Sequence, residues 1–418
     1  MSGSRIQIPN ELGDKALCAF FSGWEWFDDP RSPVTLDFST CGFVAPWAAT
    51  LFAAYGIWLK EVRGKEVMLW IDDSSSTGQY LIQSNLPQLL QQDVKPYPPA
   101  SSNRVFPLTR FSSSGEIVQC AKALLSLLQL EDGEMADAVR YALIELLRNV
   151  VQHSRSRVGG LVHAVYYPST GLVDLVVADI GCGIRAALRE RYAEIGSDFK
   201  AVKFALQPHV SGTFSRGAYA SMQSNAGLGL FFIKEIATRA GGGFFLGSGS
   251  MLADLWGSRD GSPGKRYFTS RTPGWRGTFA LLQLRRDQIG EFEGLLETCR
   301  TIAAAVRKDP TELNLDFIDE VPEIDGLTVV RVCDFEENVE RAGQIVEQLI
   351  LPALERDGLV VLDFSGIRAA TQSFVHALTY RIFRDGKNVD TILSIARADA
   401  ASREAVRAVA AYAIVGKK

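Results

Sequence analysis

The stretch that most limits how this chain can fold is FSTCGFVAPWAATLFAAYGIWL, residues 38–59, which contains no charged side chain. It is long enough to span a bilayer, so one alternative is a membrane helix. The other is a strand ending near Phe38, a loop, and a buried helix from Pro46 to about Arg63, with the proline in the first turn. Its many small residues and the alternating VTLDF before it favour the buried helix.

Composition and charge are those of a globular protein. The chain has 418 residues, of which 47% are hydrophobic and 22% charged, and its 44 Lys and Arg nearly balance its 48 Asp and Glu. This length predicts two or three domains. The sequence has no polybasic tail and no acidic arm, so nucleic acid is not indicated as a partner.

The cysteines and the first residues of the chain indicate where in the cell the protein is located. The six cysteines form no CxxC pair and have no histidine at metal-ligand spacing, which indicates buried thiols in a reducing compartment. The start, MSGSRIQIPNELGDK, lacks the basic and then apolar pattern of a secretory signal. We therefore expect a cytoplasmic protein that is not a membrane protein.

Two polar stretches that contain proline, KPYPPASSN (95–103) and KDPTELNLDFIDEVPEID (308–325), divide the chain. The first and third segments alternate strand and helix patterns, as small α/β units do. The middle segment has two helices, two strands, a stretch rich in Gly and Ser, a further helix and three strands. This order predicts helices on one side of a mixed sheet, an α+β sandwich. The predicted segments are 10–95, 104–287 and 320–416.

A polar pair interrupts the second helix of the middle segment. In IELLRNVVQHS, Glu145 and Asn149 share a helix face, because residues four positions apart lie above one another. A carboxylate there suits a general base, and a carboxamide oxygen suits Mg²⁺. A solvated helix edge is the plain alternative.

Two further motifs contain glycines. In LVVADIGCGI, Asp179 ends a strand, where it can accept from an exocyclic amine such as that of adenine, and Gly181 and Gly183 permit a sharp turn. In SNAGLGLFFIKEIA, Gly227 and Gly229 lead into a helix whose amino terminus is an anion seat. Taken alone, each motif is also explained by an ordinary turn or helix start.

The joint pattern is far more specific than its parts. ExxxN on a helix, DxGxG at a strand end, GLGL at a helix start and RGTF opening a late strand, in this order, resemble the GHKL ATPase family. That family includes gyrase- and Hsp90-type ATPases, MutL-type proteins, histidine kinases and anti-sigma factor kinases. The resemblance covers about residues 105–285 and implies a central GHKL (Bergerat) α/β sandwich that binds ATP and Mg²⁺.

The resemblance implies a role for each matching residue. Glu145 corresponds to the general base, Asn149 to the magnesium ligand and Asp179 to the carboxylate that binds the adenine amine. Residues 196–226, with His209 and Arg216, correspond to the mobile lid of the family. The other matching positions are Gly181 and Gly183 at the adenine turn, Asn225, Gly227, Leu228 and Gly229 at the phosphate-cradling turn, and Thr278 on the adenine side.

Departures from the pattern argue against particular subfamilies. Gln152 stands where histidine kinases often have a lysine. No helix upstream carries a phosphoacceptor histidine, because the four histidines (153, 163, 209 and 376) lie within or after the middle segment. A histidine kinase is therefore not expected. The residues that follow do not resemble a gyrase- or MutL-type transducer domain either.

The third segment contains GLVVLDFSGIRAATQSFVHAL, which resembles the central strand, loop and helix of STAS domains, the fold of anti-sigma factor antagonists. In those antagonists a GHKL-type kinase phosphorylates a serine at the helix start, and Ser373 falls there. Helix capping by Ser373 is the alternative. The first segment repeats LDFS and the layout more loosely, with Trp47 at the position of Ser373, so it lacks an acceptor there.

These resemblances imply an ATP-binding signalling protein, a GHKL domain flanked by two smaller STAS-like α/β domains. ATP and Mg²⁺ would switch its contacts with protein partners, such as STAS-domain or sigma-factor-like regulators. The reaction would be slow ATP hydrolysis or phosphoryl transfer to Ser or Thr. Two alternatives stay open: an ATP-driven homodimeric clamp on a client protein or DNA, and a scaffold that senses nucleotide without hydrolysing it.

Overall fold

The structure, a computed structural model, describes most of the chain. The described residues are 3–23, 31–92, 104–127, 133–190, 192, 195–208, 229–239, 241–257, 264–270, 274–285, 294, 297–299, 301, 315–322, 327–356, 358–385, 389 and 393–415.

Contacts between residues group the chain into two units. The predicted segment 10–95 lies in the first unit and the segment 320–416 in the second, while residues of the segment 104–287 occur in both. The first unit is Met1–Glu131, Leu146–Ala205 and Ala237–Ile289, and the second is Asp132–Glu145, Leu206–Ile236 and Gly290–Lys418.

The first unit contains a three-stranded parallel sheet and a seven-stranded sheet. The three-stranded sheet has the order Ser4–Gln7, Val34–Asp37 and Val67–Trp70. A separate short pair joins Glu11–Leu12 to Phe43–Val44. The strand order of the seven-stranded sheet is Gly264–Thr269, Met251–Trp256, Gly243–Gly249, Trp275–Arg285, Leu172–Asp179, Gly160–Tyr167 and Val105–Phe111.

The seven-stranded sheet is antiparallel throughout, so the expectation of a mixed sheet is wrong. Two strands of this sheet were not predicted from the sequence. Met251–Trp256 is buried along nearly its whole length and therefore shows no alternation. Val105–Phe111 contains Pro107, which argues against a strand, but a register shift between Phe106 and Thr109 accommodates it at the sheet edge.

The charge-free stretch forms the helix Pro46–Glu61, with its proline in the first turn as predicted. Every side chain from Pro46 to Leu59 is buried. The helix contacts Val67–Trp70 of one sheet and both Gly160–Tyr167 and Leu172–Asp179 of the other. Because it has a sheet on either side, it needs no polar face. None of the described helices is long and apolar enough to cross a membrane.

Several of the described helices were predicted, but Leu17–Ser22, Gly183–Arg189 and Asp198–Ala205 were not, and the last of these lies in the stretch predicted to be the lid. The helix that carries the ExxxN motif is Glu134–Asn149, called here the Glu145 helix, and it continues as a π-helix over Val150–Ser154. The other α-helices outside the third segment are Leu17–Ser22, Ser76–Gln83, Leu86–Leu89, Ser114–Leu127, Gly183–Arg189, Asp198–Ala205 and Gly229–Arg239.

The second unit contains a four-stranded parallel sheet of order Asp316–Ile318, Leu393–Ala396, Val360–Asp363 and Thr328–Arg331. Strand Asp316–Ile318 lies inside the stretch predicted to be a linker. The helix Gln372–Asp385, called here the Ser373 helix, is buried from Gln372 to Tyr380. The other α-helices of this sheet region are Val339–Ile345, Leu351–Glu355 and Ala400–Val415.

The repeated letters LDFS form the same local structure in both units. Asp37 and Asp363 each end a strand, accept the backbone N–H two residues later and pair with an arginine. The shared turn supports the looser likeness of the first segment to the third, although the STAS-like identity of both stays a prediction. The partners are Ser39 and Arg5 for Asp37, and Ser365 and Arg397 for Asp363.

The buried carboxyl group of Asp174 makes the stability of the folded protein depend on pH. Its carboxyl is 3% exposed, and Gln283 Nε2 donates at 2.9 Å to Asp174 and at 2.9 Å to Asp14. Burial, and then the charge of Asp14, raise the pKa of Asp174 to about 7. The folded state therefore binds the proton more tightly than the unfolded state, so this group contributes stability at low pH that is lost as the pH rises through 7.

We expect Asp174→Asn to gain about 2 kcal/mol in unfolding free energy relative to wild type between pH 5 and pH 8, because the amide does not ionise. Urea denaturation of both proteins at the two pH values measures this. Asp319, whose side chain is 92% exposed, supplies the control Asp319→Asn, which should show no such change. A difference between Asp174→Asn and wild type that is independent of pH would contradict the expectation.

Candidate functional site

Asp179 forms one corner of the candidate site in the first unit. It ends the strand Leu172–Asp179 and is 2% exposed. Its Oδ1 accepts the backbone N–H of Gly181 at 2.8 Å, and Thr278 lies opposite it on the neighbouring strand. Burial raises the pKa of this carboxyl to about 7, although the N–H groups of Gly181 and Thr278 oppose the shift. Three of the predicted adenine-side residues are thus adjacent.

Both glycines after Asp179 are required by the backbone. A Cβ on Gly181 would lie 2.0 Å from the carbonyl oxygen of Ser154. Gly183 has a φ of +75°, which side chains with a Cβ rarely adopt. The sharp turn expected of the DxGxG motif is therefore present.

Two residues that the sequence did not indicate hold this corner together. Ser248 Oγ accepts the N–H of Ile184 at 2.9 Å and donates to the carbonyl oxygen of Gly277 at 2.7 Å. Trp275 Nε1 donates to the backbone carbonyl of Asp179 at 2.9 Å. Neither residue belongs to a motif, and each acts on a loop distant in sequence, so no sequence signal points to them.

A cavity of about 390 Å³ opens beside the glycine turn. Its volume lies at the lower end of the range for pockets that hold small molecules, about 300–1,000 Å³. Its lining includes the glycine turn from Gly181 to Gly183 and three charged residues, Arg185, Asp198 and Arg276. This corner can therefore hold a polar ligand.

Asn149 ends the Glu145 helix, where the π-helix Val150–Ser154 begins. Single π turns are frequent at functional sites. The side-chain nitrogen of Asn149 is buried and has no hydrogen-bond partner among the described residues. Because the oxygen and nitrogen of an amide exchange places by a flip, this side chain can present its oxygen to a ligand instead. It fits the role of a Mg²⁺ ligand.

Glu145 and Ser373, 228 positions apart, meet in the second unit. Ser373 Oγ lies 2.9 Å from Oε1 and 2.8 Å from Oε2 of Glu145. The two residues are 2% and 3% exposed. A carboxylate within hydrogen-bond distance of a hydroxyl can take up its proton.

Ser373 does not cap its helix. The Ser373 helix begins at Gln372, so Ser373 is its second residue, and its hydroxyl donates to Glu145. The backbone N–H of Ser373 also points to Glu145 Oε1, at 3.4 Å. The Glu145 carboxylate therefore lies at the amino terminus of this helix, where negative charge is favoured.

Gly229 brings the start of helix Gly229–Arg239 against Glu145. A Cβ on Gly229 would lie 2.5 Å from Glu145 Oε2 and 3.6 Å from its Cβ. The second glycine of GLGL therefore serves close approach to the carboxylate. Asn225, Gly227, Leu228, His209 and Arg216 lie outside the described residues.

If Glu145 is the general base that the family pattern implies, Gly229→Ala should reduce turnover of ATP roughly a hundredfold, because its methyl group would displace the Glu145 carboxylate by about 1 Å. Alanine otherwise favours a helix, so stability should hold. The matched control is Gly115→Ala at the start of helix Ser114–Leu127, where a Cβ meets nothing within 4 Å. Steady-state assays of both variants test this, and equal activity in the two would show that the contact is unimportant.

Comparison with known proteins gives a family match for the middle of the chain. Residues 134–276 match the family model described as "Histidine kinase-, DNA gyrase B-, and HSP90-like ATPase" (HATPase_c). The match starts with the Glu145 helix and includes Asn149, Asp179 and Gly229. The curated proteins gave no match. The chain therefore contains a GHKL-type ATPase domain, and this family indicates ATP binding.

Proposed function

We propose that the protein is an ATP-binding regulatory protein that transfers the γ-phosphoryl group of ATP to Ser373 of its own chain. The observation that carries this proposal is the pair of short contacts, 2.8 and 2.9 Å, between Ser373 Oγ and the Glu145 carboxylate. The matched ATPase family supports the nucleotide. The general base implied by the family pattern thus has a hydroxyl in reach.

The reaction is a simple displacement. Ser373 Oγ forms a bond to the γ-phosphorus of ATP, while the bond from that phosphorus to the oxygen bridging the β- and γ-phosphorus breaks. The hydroxyl proton passes to Glu145, and ADP leaves with the electron pair of the broken bond. Positioning supplies most of the acceleration in such reactions, and a base adds to it.

Other residues of the domain bind the nucleotide. By the family pattern, Asp179 would accept from the adenine amine, and Gly181 and Gly183 would let the ring approach the backbone. Asn149 would hold Mg²⁺, which supplies charge neutralisation on the phosphates. The start of helix Gly229–Arg239 would bind the phosphates through its backbone N–H groups.

Phosphorylation of Ser373 would act as a switch. A phosphoserine carries about −1.5 to −2 charges at pH 7 and is repelled by a neighbouring carboxylate. The buried contact between Glu145 and Ser373 would therefore open, and the STAS-like third segment would be released to bind a protein regulator. In this proposal the third segment binds the regulator, and the ATPase domain controls when it is free to do so.

Slow hydrolysis is the second candidate reaction, because family members of the ATPase type use water as the acceptor. In this structure Ser373 Oγ lies within 2.9 Å of both carboxylate oxygens of Glu145. That arrangement favours the serine over water. The homodimeric clamp and the non-hydrolysing scaffold predict no phosphoserine at all.

The proposal is tested by incubating the purified full chain with Mg²⁺ and ATP labelled in its γ-phosphate. Free phosphate and the intact mass of the protein are followed together. We expect one phosphate per chain, mapped to Ser373 by peptide mass spectrometry, to form ahead of free phosphate. Free phosphate without a mass increase would identify an ATPase, and neither product would favour the scaffold.

A further inference from the structure

The hydrogen bond between Glu145 and Ser373 is one contact between the Glu145 helix and the third segment, and Arg140 makes a second. It precedes Glu145 by five positions on the same helix, which is about 7.5 Å along the axis. Its guanidinium forms an ion pair with Glu337, 197 positions away. Its Nη2 also donates to the carbonyl oxygen of Arg368 at 2.7 Å. One side chain therefore holds two loops of the third segment.

The ion pair is largely removed from water. The side chain of Arg140 is 22% exposed and that of Glu337 is 7% exposed. Burial opposes the charge on Arg140, but the carboxylates of Glu337, Asp137 and Asp399 together outweigh it, and the pKa of Arg140 rises above its ordinary value. Asp137 also lies 3.7 Å from the Arg140 guanidinium, so Arg140 faces carboxylates from its own helix and from the third segment. Loss of Arg140 or of Glu337 would disrupt a buried ion pair.

The two acceptors are presented by strained backbone. Glu337 has a φ of 56°, and Ala369, which follows the accepting carbonyl of Arg368, has a φ of 47°. Residues other than glycine rarely take such values. Ala369 is fixed by donation of its N–H to Asp399 at 2.7 Å. The chain then runs directly into the Ser373 helix, so Arg140 holds the backbone just before this helix begins at Gln372.

We propose that Arg140 is a positioning residue that places the Ser373 hydroxyl on Glu145 and so selects serine over water as the phosphoryl acceptor. The inference rests on the proposed function. Arg140 touches neither reacting atom. It acts through the Arg368 carbonyl and Glu337, and a planar guanidinium can reach both acceptors at once, whereas the ammonium of lysine is a single point charge.

The test uses Arg140→Lys and Glu337→Gln in the full chain with labelled ATP. We expect the ratio of Ser373 phosphate to free phosphate to fall about tenfold or more in both variants, with ATP affinity unchanged. The matched control is Arg381→Ala, which removes an arginine that pairs with Glu347 and Asp385 from the Ser373 helix itself. A merely structural role for Arg140 would lower both products in proportion and leave their ratio unchanged.

Hydrogen–deuterium exchange of the peptide that covers residues 368–376 separates this inference from the proposed function. We expect exchange to quicken in Arg140→Lys and Glu337→Gln, but not in Arg381→Ala. If wild type forms no Ser373 phosphate, the proposed function is wrong. The hydrogen–deuterium exchange rates then test by themselves whether Arg140 positions Ser373. Unchanged exchange, or an unchanged product ratio in a wild type that does phosphorylate Ser373, overturns the inference.

Discussion

Replacement of Glu145 by glutamine is expected to slow phosphoryl transfer to Ser373 roughly a hundredfold to ten-thousandfold, the usual contribution of a general base. The amide cannot take up the hydroxyl proton, yet it is close in size to the carboxylate and its oxygen can still accept from Ser373. Folding and ATP binding should therefore persist. Single-turnover formation of phosphoserine, with ATP affinity from calorimetry, measures the two effects separately.

The matched control for this variant is Asp174→Asn, the same change from carboxylate to amide at another buried site. It should transfer phosphate at the wild-type rate. If Glu145→Gln formed phosphoserine as fast as wild type, Glu145 would not be the base, and its contact with Ser373 would be purely structural.

Replacement of Ser373 by alanine is expected to abolish incorporation of phosphate into the protein. The Glu145 carboxylate would lose its hydroxyl partner and become accessible to water, so release of free phosphate should continue or increase. Intact mass spectrometry and a phosphate-release assay on one reaction mixture measure both. The structural cost should be modest, because a buried acceptor that loses one donor costs about 1–3 kcal/mol.

Ser365→Ala is the control for this change. Ser365 lies in the same segment and its Oγ also donates to a carboxylate, that of Asp363 at 3.0 Å. It should be phosphorylated at Ser373 as wild type is. Undiminished incorporation of phosphate into Ser373→Ala would move the acceptor elsewhere and contradict the proposed reaction.

Much of the site could be anticipated because its motifs are local. Asp179, Gly181 and Gly183 lie within five consecutive residues, so the motif that forms the turn can be read from the sequence, although Ser248 and Trp275, which hold the turn, cannot. The helix that carries Glu145 and Asn149 follows from its apolar periodicity. The buried helix Pro46–Glu61 was likewise predicted, although the second sheet that covers it was not.

The rest depends on contacts that sequence does not record. The Arg140–Glu337 pair joins residues 197 positions apart, and Ser248 holds two loops through a single hydroxyl. Ser373 was indicated as an acceptor only by resemblance, and its hydrogen bond to Glu145 could not be predicted. Strand Met251–Trp256 was missed because burial on both faces removes its alternation.

The central claim, that Glu145 acts on Ser373 of the same chain, is tested most directly by mixing two variants that are each impaired in labelling of Ser373. Glu145→Gln retains the acceptor without the base, and Ser373→Ala retains the base without the acceptor. With labelled ATP and Mg²⁺, we expect wild type to acquire phosphate on Ser373 and the equimolar mixture to label Ser373 no faster than Glu145→Gln does alone. Labelling of Ser373 in the mixture at the wild-type rate would show transfer between chains and contradict the account.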